Sequence, residues 1–223
     1  MLEWGLNWCI TNHCHDYLII HAAVMERNGH VLMMPAPPGA GKSTLCAALV
    51  CHGWRLLSDE LAMIRMDGSG EAVPLARPVC LKNQSVAIIR DRFPLSEFGP
   101  TCANTAKGDV AHMLAPEKSV QQVMLSAPVK CIVFPRYNHR SHTQLTPRPK
   151  ARTFFELAQQ SFNFHILGER GFEVLRGVVD KSHCFDFTYS RLEDAFDVFD
   201  NLMSDIGDAK VTGDHVEGKV HVL

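Results

Sequence analysis

The chain has 223 residues, 46% of them hydrophobic, and a formal net charge of −2. That length holds one substantial domain with a real core. The near-neutral charge argues against a nucleic-acid or anionic-membrane partner, no apolar run approaches the ~20 residues that span a bilayer, and the N-terminus lacks a signal-peptide pattern.

Eight cysteines, at positions 9, 14, 46, 51, 80, 102, 131 and 184, form no C-x-x-C pair, and several lie in apolar runs. They read as free thiols of a reduced, cytoplasmic protein without disulfides or structural zinc.

In chain order, residues 1–34 read as strands. Trp8-Cys9-Ile10 is one short run, and Tyr17–Ile20, extended by His21–Met25, is a second. Asn28-Gly29 is a strong hairpin signal, and Val31–Met34 is its return strand. His13 and His15 would share a strand face around Cys14, but without a carboxylate or third ligand they read as a polar surface turn.

Pro35-Ala36-Pro37-Pro38-Gly39-Ala40-Gly41-Lys42-Ser43-Thr44 then joins that strand to a helical run ending near Gly53. The pattern is that of a phosphate loop, G-x-x-x-x-G-K-[ST], with Ala36 in the place of the first glycine. Gly39 and Gly41 let successive N–H groups turn inward, and the helix start at Lys42 adds its positive end. Pro38, Gly39, Ala40, Gly41, Lys42, Ser43 and Thr44 are the candidate nucleotide-binding residues. Lys42 would sit on the outer phosphates and Ser43 on Mg²⁺, with Thr44 as an extra donor.

The next apolar strand, Trp54–Ser58, ends in Asp59-Glu60. A carboxylate at such a strand end holds Mg²⁺ or takes the acceptor's proton in phosphoryl transfer. A strand from Leu61, a turn at Asp67–Gly70 and a return at Glu71–Leu75 follow. A helix is expected at 84–90 and a loop at 94–100. Thr101–Met113 reads as a loop, either plain surface or mobile over an active site. Val129–Phe134 is a buried strand, and residues 138–150 a linker.

Arg152–Asn163 reads as a helix burying Phe155, Leu157, Ala158 and Phe162, and Gly168–Asp180 as one burying Phe172, Leu175, Val178 and Val179. Cys184–Tyr189 alternates as a strand. A capping box at Ser190–Glu193 would open a last helix to about Asp205. The expected organisation is one domain over 1–206 and a loose tail over 207–223.

Several motifs read together resemble the bacterial HPr serine kinase/phosphorylase catalytic domain. They are His21-Ala22-Ala23-Val24, the 36–44 loop, and Gly53-Trp54-Arg55-Leu56-Leu57-Ser58-Asp59-Glu60-Leu61. Arg77-Pro78, Leu81-Lys82-Asn83, Thr105-Ala106-Lys107-Gly108, His112, Phe134-Pro135-Arg136-Tyr137 and Gly168-Glu169-Arg170-Gly171-Phe172 are similar to the subgroup called HPr kinase-related kinase A.

The resemblance implies an α/β fold shared with phosphoenolpyruvate carboxykinase, a mixed sheet carrying the phosphate loop and flanked by helices. It implies ATP and Mg²⁺ as cofactors, and a protein or peptide substrate with an acceptor serine. Asp59 is then the catalytic carboxylate, Glu60 stands where the family has a second aspartate, and His21 sits beside the phosphates. By spacing alone His21 reads equally as a core histidine. The metal would be held by Ser43 and Asp59. Arg77, Lys82 or Lys107 would add positive charge over the transferring group. The family's glycine-rich signature with its metal-binding glutamate is not found in this chain. The hexamers of the HPr kinases make a homo-oligomer the corresponding expectation. A nucleotide switch with weak hydrolysis and a small-molecule kinase are the alternative readings.

Overall fold

The structure, a computed structural model, describes residues 2–37 and 39–212. The expectations for Pro38 and for residues 213–223 fall outside the described residues. The chain is mixed α/β, with a large mixed sheet and helices on both faces.

The first element corrects the sequence reading. Residues Leu2–His13 form helix α1, not strands, although Trp8-Cys9-Ile10 are residues that favour strands. The β1 strand (Tyr17–Arg27) and β2 (His30–Pro35) form the expected hairpin, pairing Arg27 with His30. Asn28 and Gly29 both take positive φ, as a two-residue hairpin turn of this kind requires. Helix α2 (Lys42–Cys51) follows, then β3 (Arg55–Ser58), β4 (Leu61–Arg65), β5 (Glu71–Val73), β6 (Val79–Lys82) and α3 (Gln84–Arg92).

Residues 101–113 are not a loop. They form a hairpin of β7 (Cys102–Thr105) and β8 (Gly108–Met113), which joins β6 in a three-stranded antiparallel sheet. A short α4 (Glu117–Gln121) leads to β9 (Ala127–Tyr137), parallel to β2. The supposed linker contains β10 (Gln144–Pro147), paired with β11 (His183–Tyr189) at the sheet edge, where proline is tolerated.

Helix α5 (Lys150–Gln160) buries Leu157, but Phe155 and Phe162 are exposed. Helix α6 (Phe164–Asp180) starts before Gly168, where φ of 56° kinks it, and leaves Phe172 exposed. The capping box does not form: α7 (Leu192–Thr212) starts within it, with Arg191 rather than Ser190 before the first helical residue, and Ser190 Oγ donates to the Ser141 carbonyl. Helix α7 runs past Asp205, so residues 207–212 are helical rather than loose.

The large sheet runs β10-β11-β9-β2-β1-β4-β5, with β3 also on β1 and β5 returning to β9. Its central strands are buried on both faces because helices cover both sides of the sheet. Ala23, Met25, Leu32 and Met34 face one core, shared with Leu45, Leu49 and Phe199 of α2 and α7. Ala22, Val24, Val31 and Met33 face the other, shared with Leu157, Leu175 and Val178 of α5 and α6. No described helix is long and apolar enough to cross a membrane.

Candidate functional site

Strand β2 and helix α2 are joined by the Gly39–Gly41 turn. Gly41 has φ of 91°, and a Cβ there would lie 2.7 Å from Tyr189 Oη, so backbone geometry and the neighbouring tyrosine both demand glycine. No side chain caps the start of α2, which leaves the first-turn N–H groups and the positive helix end for an anion.

Lys42, on the first turn of α2, is buried, and its Nζ donates to the Asp59 carbonyl at 2.8 Å. The same ammonium lies 3.5 Å from His21 Nε2 on β1. The hairpin, α2 and the end of β3 thus bring His21, Lys42, Asp59 and Glu60 together.

Asp59 is 6% exposed, and neither carboxylate oxygen makes a close, well-aligned hydrogen bond among the described residues, although the Ser43 hydroxyl and the Cys80 backbone N–H act on it as weaker donors. Burial pushes its pKa above the usual carboxylate range. Lys42 opposes that shift, Glu60 adds to it, and weaker contributions from Ser43 and the Cys80 backbone draw it down. Buried polar groups are normally satisfied, so this carboxylate is a notable exception.

His21 behaves oppositely as a base. Burial first, and then Lys42, lower its pKa to about 4, so it is neutral at pH 7. Its ring packs edge-on to Phe162, 6.2 Å between centroids.

Glu60 accepts a 2.6 Å hydrogen bond from Asn7 Nδ2 of α1, and Asn7 Oδ1 accepts one of 2.6 Å from Arg77. Ser43, half-buried, is adjacent to Lys42 on α2. Thr44 Oγ1 donates to Ser85 Oγ at 2.8 Å, so this hydroxyl is engaged with α3. Lys82 acts electrostatically on His21 from the end of β6, and Lys107 stands in the β7–β8 turn. Among the described residues no trio of His, Cys, Asp or Glu is placed to hold a metal, the His13–His15 segment included.

A cavity of about 370 Å³ opens beside His21 and Glu60, with Lys107 on its lining. Trp4, Asn7, Trp8 and Thr11 of α1 form one side of it. Reading residues 1–34 as strands missed these four. The signal was present, since positions 4, 7, 8 and 11 recur at helical spacing on one face.

An uncapped helix start and a buried ammonium suit phosphates, while a hydroxyl and an unpartnered carboxylate are the oxygen ligands Mg²⁺ prefers. No known family model matches the chain, and no curated protein matches its sequence.

Proposed function

We propose that the protein is an ATP- and Mg²⁺-dependent kinase that transfers the γ-phosphoryl group to a hydroxyl, the serine of a protein or peptide being the acceptor its motifs suggest. On this reading residues 36–44 are a phosphate loop and the fold is of the HPr kinase/phosphoenolpyruvate carboxykinase type. The protein works in the cytoplasm. The observation that carries the proposal is the Asp59 carboxylate, buried and unpartnered beside Lys42 at the mouth of α2.

Lys42 and the α2 N–H groups hold the phosphates in line. Ser43 and Asp59 would hold Mg²⁺, which would supply charge neutralisation on the transferring group. Burial and Glu60 raise the Asp59 pKa in the metal-free chain, and Lys42, with Mg²⁺ when bound, would draw it back toward the ionised form that accepts a proton. Asp59 takes the acceptor's hydroxyl proton, that oxygen bonds to the γ-phosphorus, and the bond to the bridging oxygen breaks to release ADP. His21, neutral, lies against Lys42 without adding a like charge.

Asp59→Asn tests the reading. The variant is expected to bind a non-hydrolysable ATP analogue yet lose about 10²–10⁴-fold in labelled phosphate transfer. Transfer at the wild-type rate would overturn the assignment. Slow phosphate release by the wild type with no acceptor labelled would favour a nucleotide switch instead.

A further inference from the structure

We infer that the cavity beneath α1 is where the acceptor enters, and that it takes a hydroxymethyl group carried beside an apolar face. The inference rests on the kinase reading above and names the acceptor side of that site.

Position comes first. His21 borders both compartments: its Nε2 lies 3.5 Å from Lys42 Nζ, and it also lines the cavity. Glu60, next in the chain to the unpartnered Asp59, faces the same space. A molecule in the cavity therefore touches His21 and Glu60, with Lys42 behind His21 and Asp59 next in the chain to Glu60, both outside the lining.

Composition comes second. Small-ligand sites are mostly apolar with a few polar groups that fix orientation. Here Trp4, Trp8 and Phe162 supply apolar surface, while Thr11, Glu60 and His21 supply polar atoms. The volume, about 370 Å³, lies near the lower bound for such sites. It admits a hydroxymethyl group with its immediate neighbours and not a folded protein surface.

The third argument is the way α1 is held. Trp4 is 73% and Trp8 58% exposed, so the helix leaves its largest apolar groups in water. Asn7 instead clasps it between Glu60 and Arg77. Burial of the two indoles does not account for their placement at the cavity rim. A ligand with an apolar face would cover them and gain the contact that folding leaves unused.

One hydroxymethyl chemistry has two sources, a small free alcohol or a serine on a flexible peptide, and the experiment separates them. Wild-type protein, Mg²⁺ and γ-labelled ATP are incubated with two probe sets. One holds free serine, homoserine and glycerol, and the other hexapeptides with a fixed central serine and randomised apolar neighbours. Label in the first set assigns a small-molecule acceptor, and label in the second a polypeptide segment. With the labelled probe, Trp8→Ala is expected to raise KM about tenfold with kcat little changed. Thr11→Trp, which fills the cavity from α1, is expected to abolish labelling. Both variants should bind the non-hydrolysable analogue as the wild type does. Unchanged transfer to the labelled probe in both variants, or label in neither probe set while a whole-protein acceptor is labelled, overturns the inference alone. Analogue binding with slow phosphate release and no acceptor labelled at all favours the nucleotide switch and overturns the kinase reading with it. Failure of the wild type to bind the analogue overturns the kinase reading and this inference with it.

Discussion

Strand β3 ends in a buried charge on either side, and the two are treated in opposite ways. At its start, Arg55 donates from Nε to Glu26 at 2.6 Å and from Nη1 to the Gln122 and Leu125 carbonyls. Glu26 in turn accepts from the Gly29 N–H at 2.6 Å. Just past its end, Asp59 is as deeply buried, but neither oxygen makes a close, well-aligned hydrogen bond, and only weaker donation from Ser43 and the Cys80 backbone reaches it. The same four-residue strand thus carries one charge completed by the fold and one left incomplete. Completed buried pairs hold structure together, whereas an incomplete one costs stability that only a ligand recovers.

That contrast can be broken at either end. Arg55→Met strands Glu26 without its partner and is expected to cost about 3–5 kcal/mol in denaturant unfolding. Asp59→Asn, by removing an unpartnered buried carboxylate, should leave the nucleotide-free protein at least as stable as the wild type. Equal losses at both ends would show that Asp59 is structural after all.

Lys42→Ala removes one charge-assisted contact to phosphate. Calorimetry with an ATP analogue is expected to show affinity about 10–100-fold weaker. The same titration with Arg55→Lys, at the other end of β3, should give wild-type affinity.

The smallest effect is one of pH. The His21 pKa falls from 6.5 to about 4 on folding, so the folded state binds fewer protons than the unfolded chain. Its contribution is therefore constant above about pH 6.5 and is lost as the pH drops toward 4. Asp59, shifted upward, has the opposite sign and favours the folded state as the pH falls. His21→Asn should accordingly lose less Tm than the wild type between pH 7 and pH 4.5.

Much of this arrangement was legible in the residues. Asn28-Gly29 announced the hairpin, and Gly41-Lys42-Ser43 the turn into α2. The run from Trp54 to Glu60 announced a strand that ends in acids. The α1 helix was hidden because Trp8-Cys9-Ile10 favour strands locally, and the 4, 7, 8, 11 spacing was outweighed by that run. Pro147 disguised β10, since an edge strand tolerates the missing N–H that a central strand would not. Phe155, Phe162 and Phe172 follow helical spacing with buried neighbours, yet all three are exposed. Helix spacing fixes a shared face but not whether another element covers it. What no local pattern carried was the clasp of Asn7 on Glu60, which joins residues 53 positions apart.

The most direct measurement is calorimetric binding of a non-hydrolysable ATP analogue, with and without Mg²⁺, to the wild type and to Asp59→Asn. If the unpartnered carboxylate awaits a metal-bound nucleotide, Mg²⁺ strengthens binding to the wild type at least about tenfold, the value of one charge-assisted contact. The same addition then leaves Asp59→Asn nearly unchanged. Equal Mg²⁺ enhancement in both proteins would contradict the account.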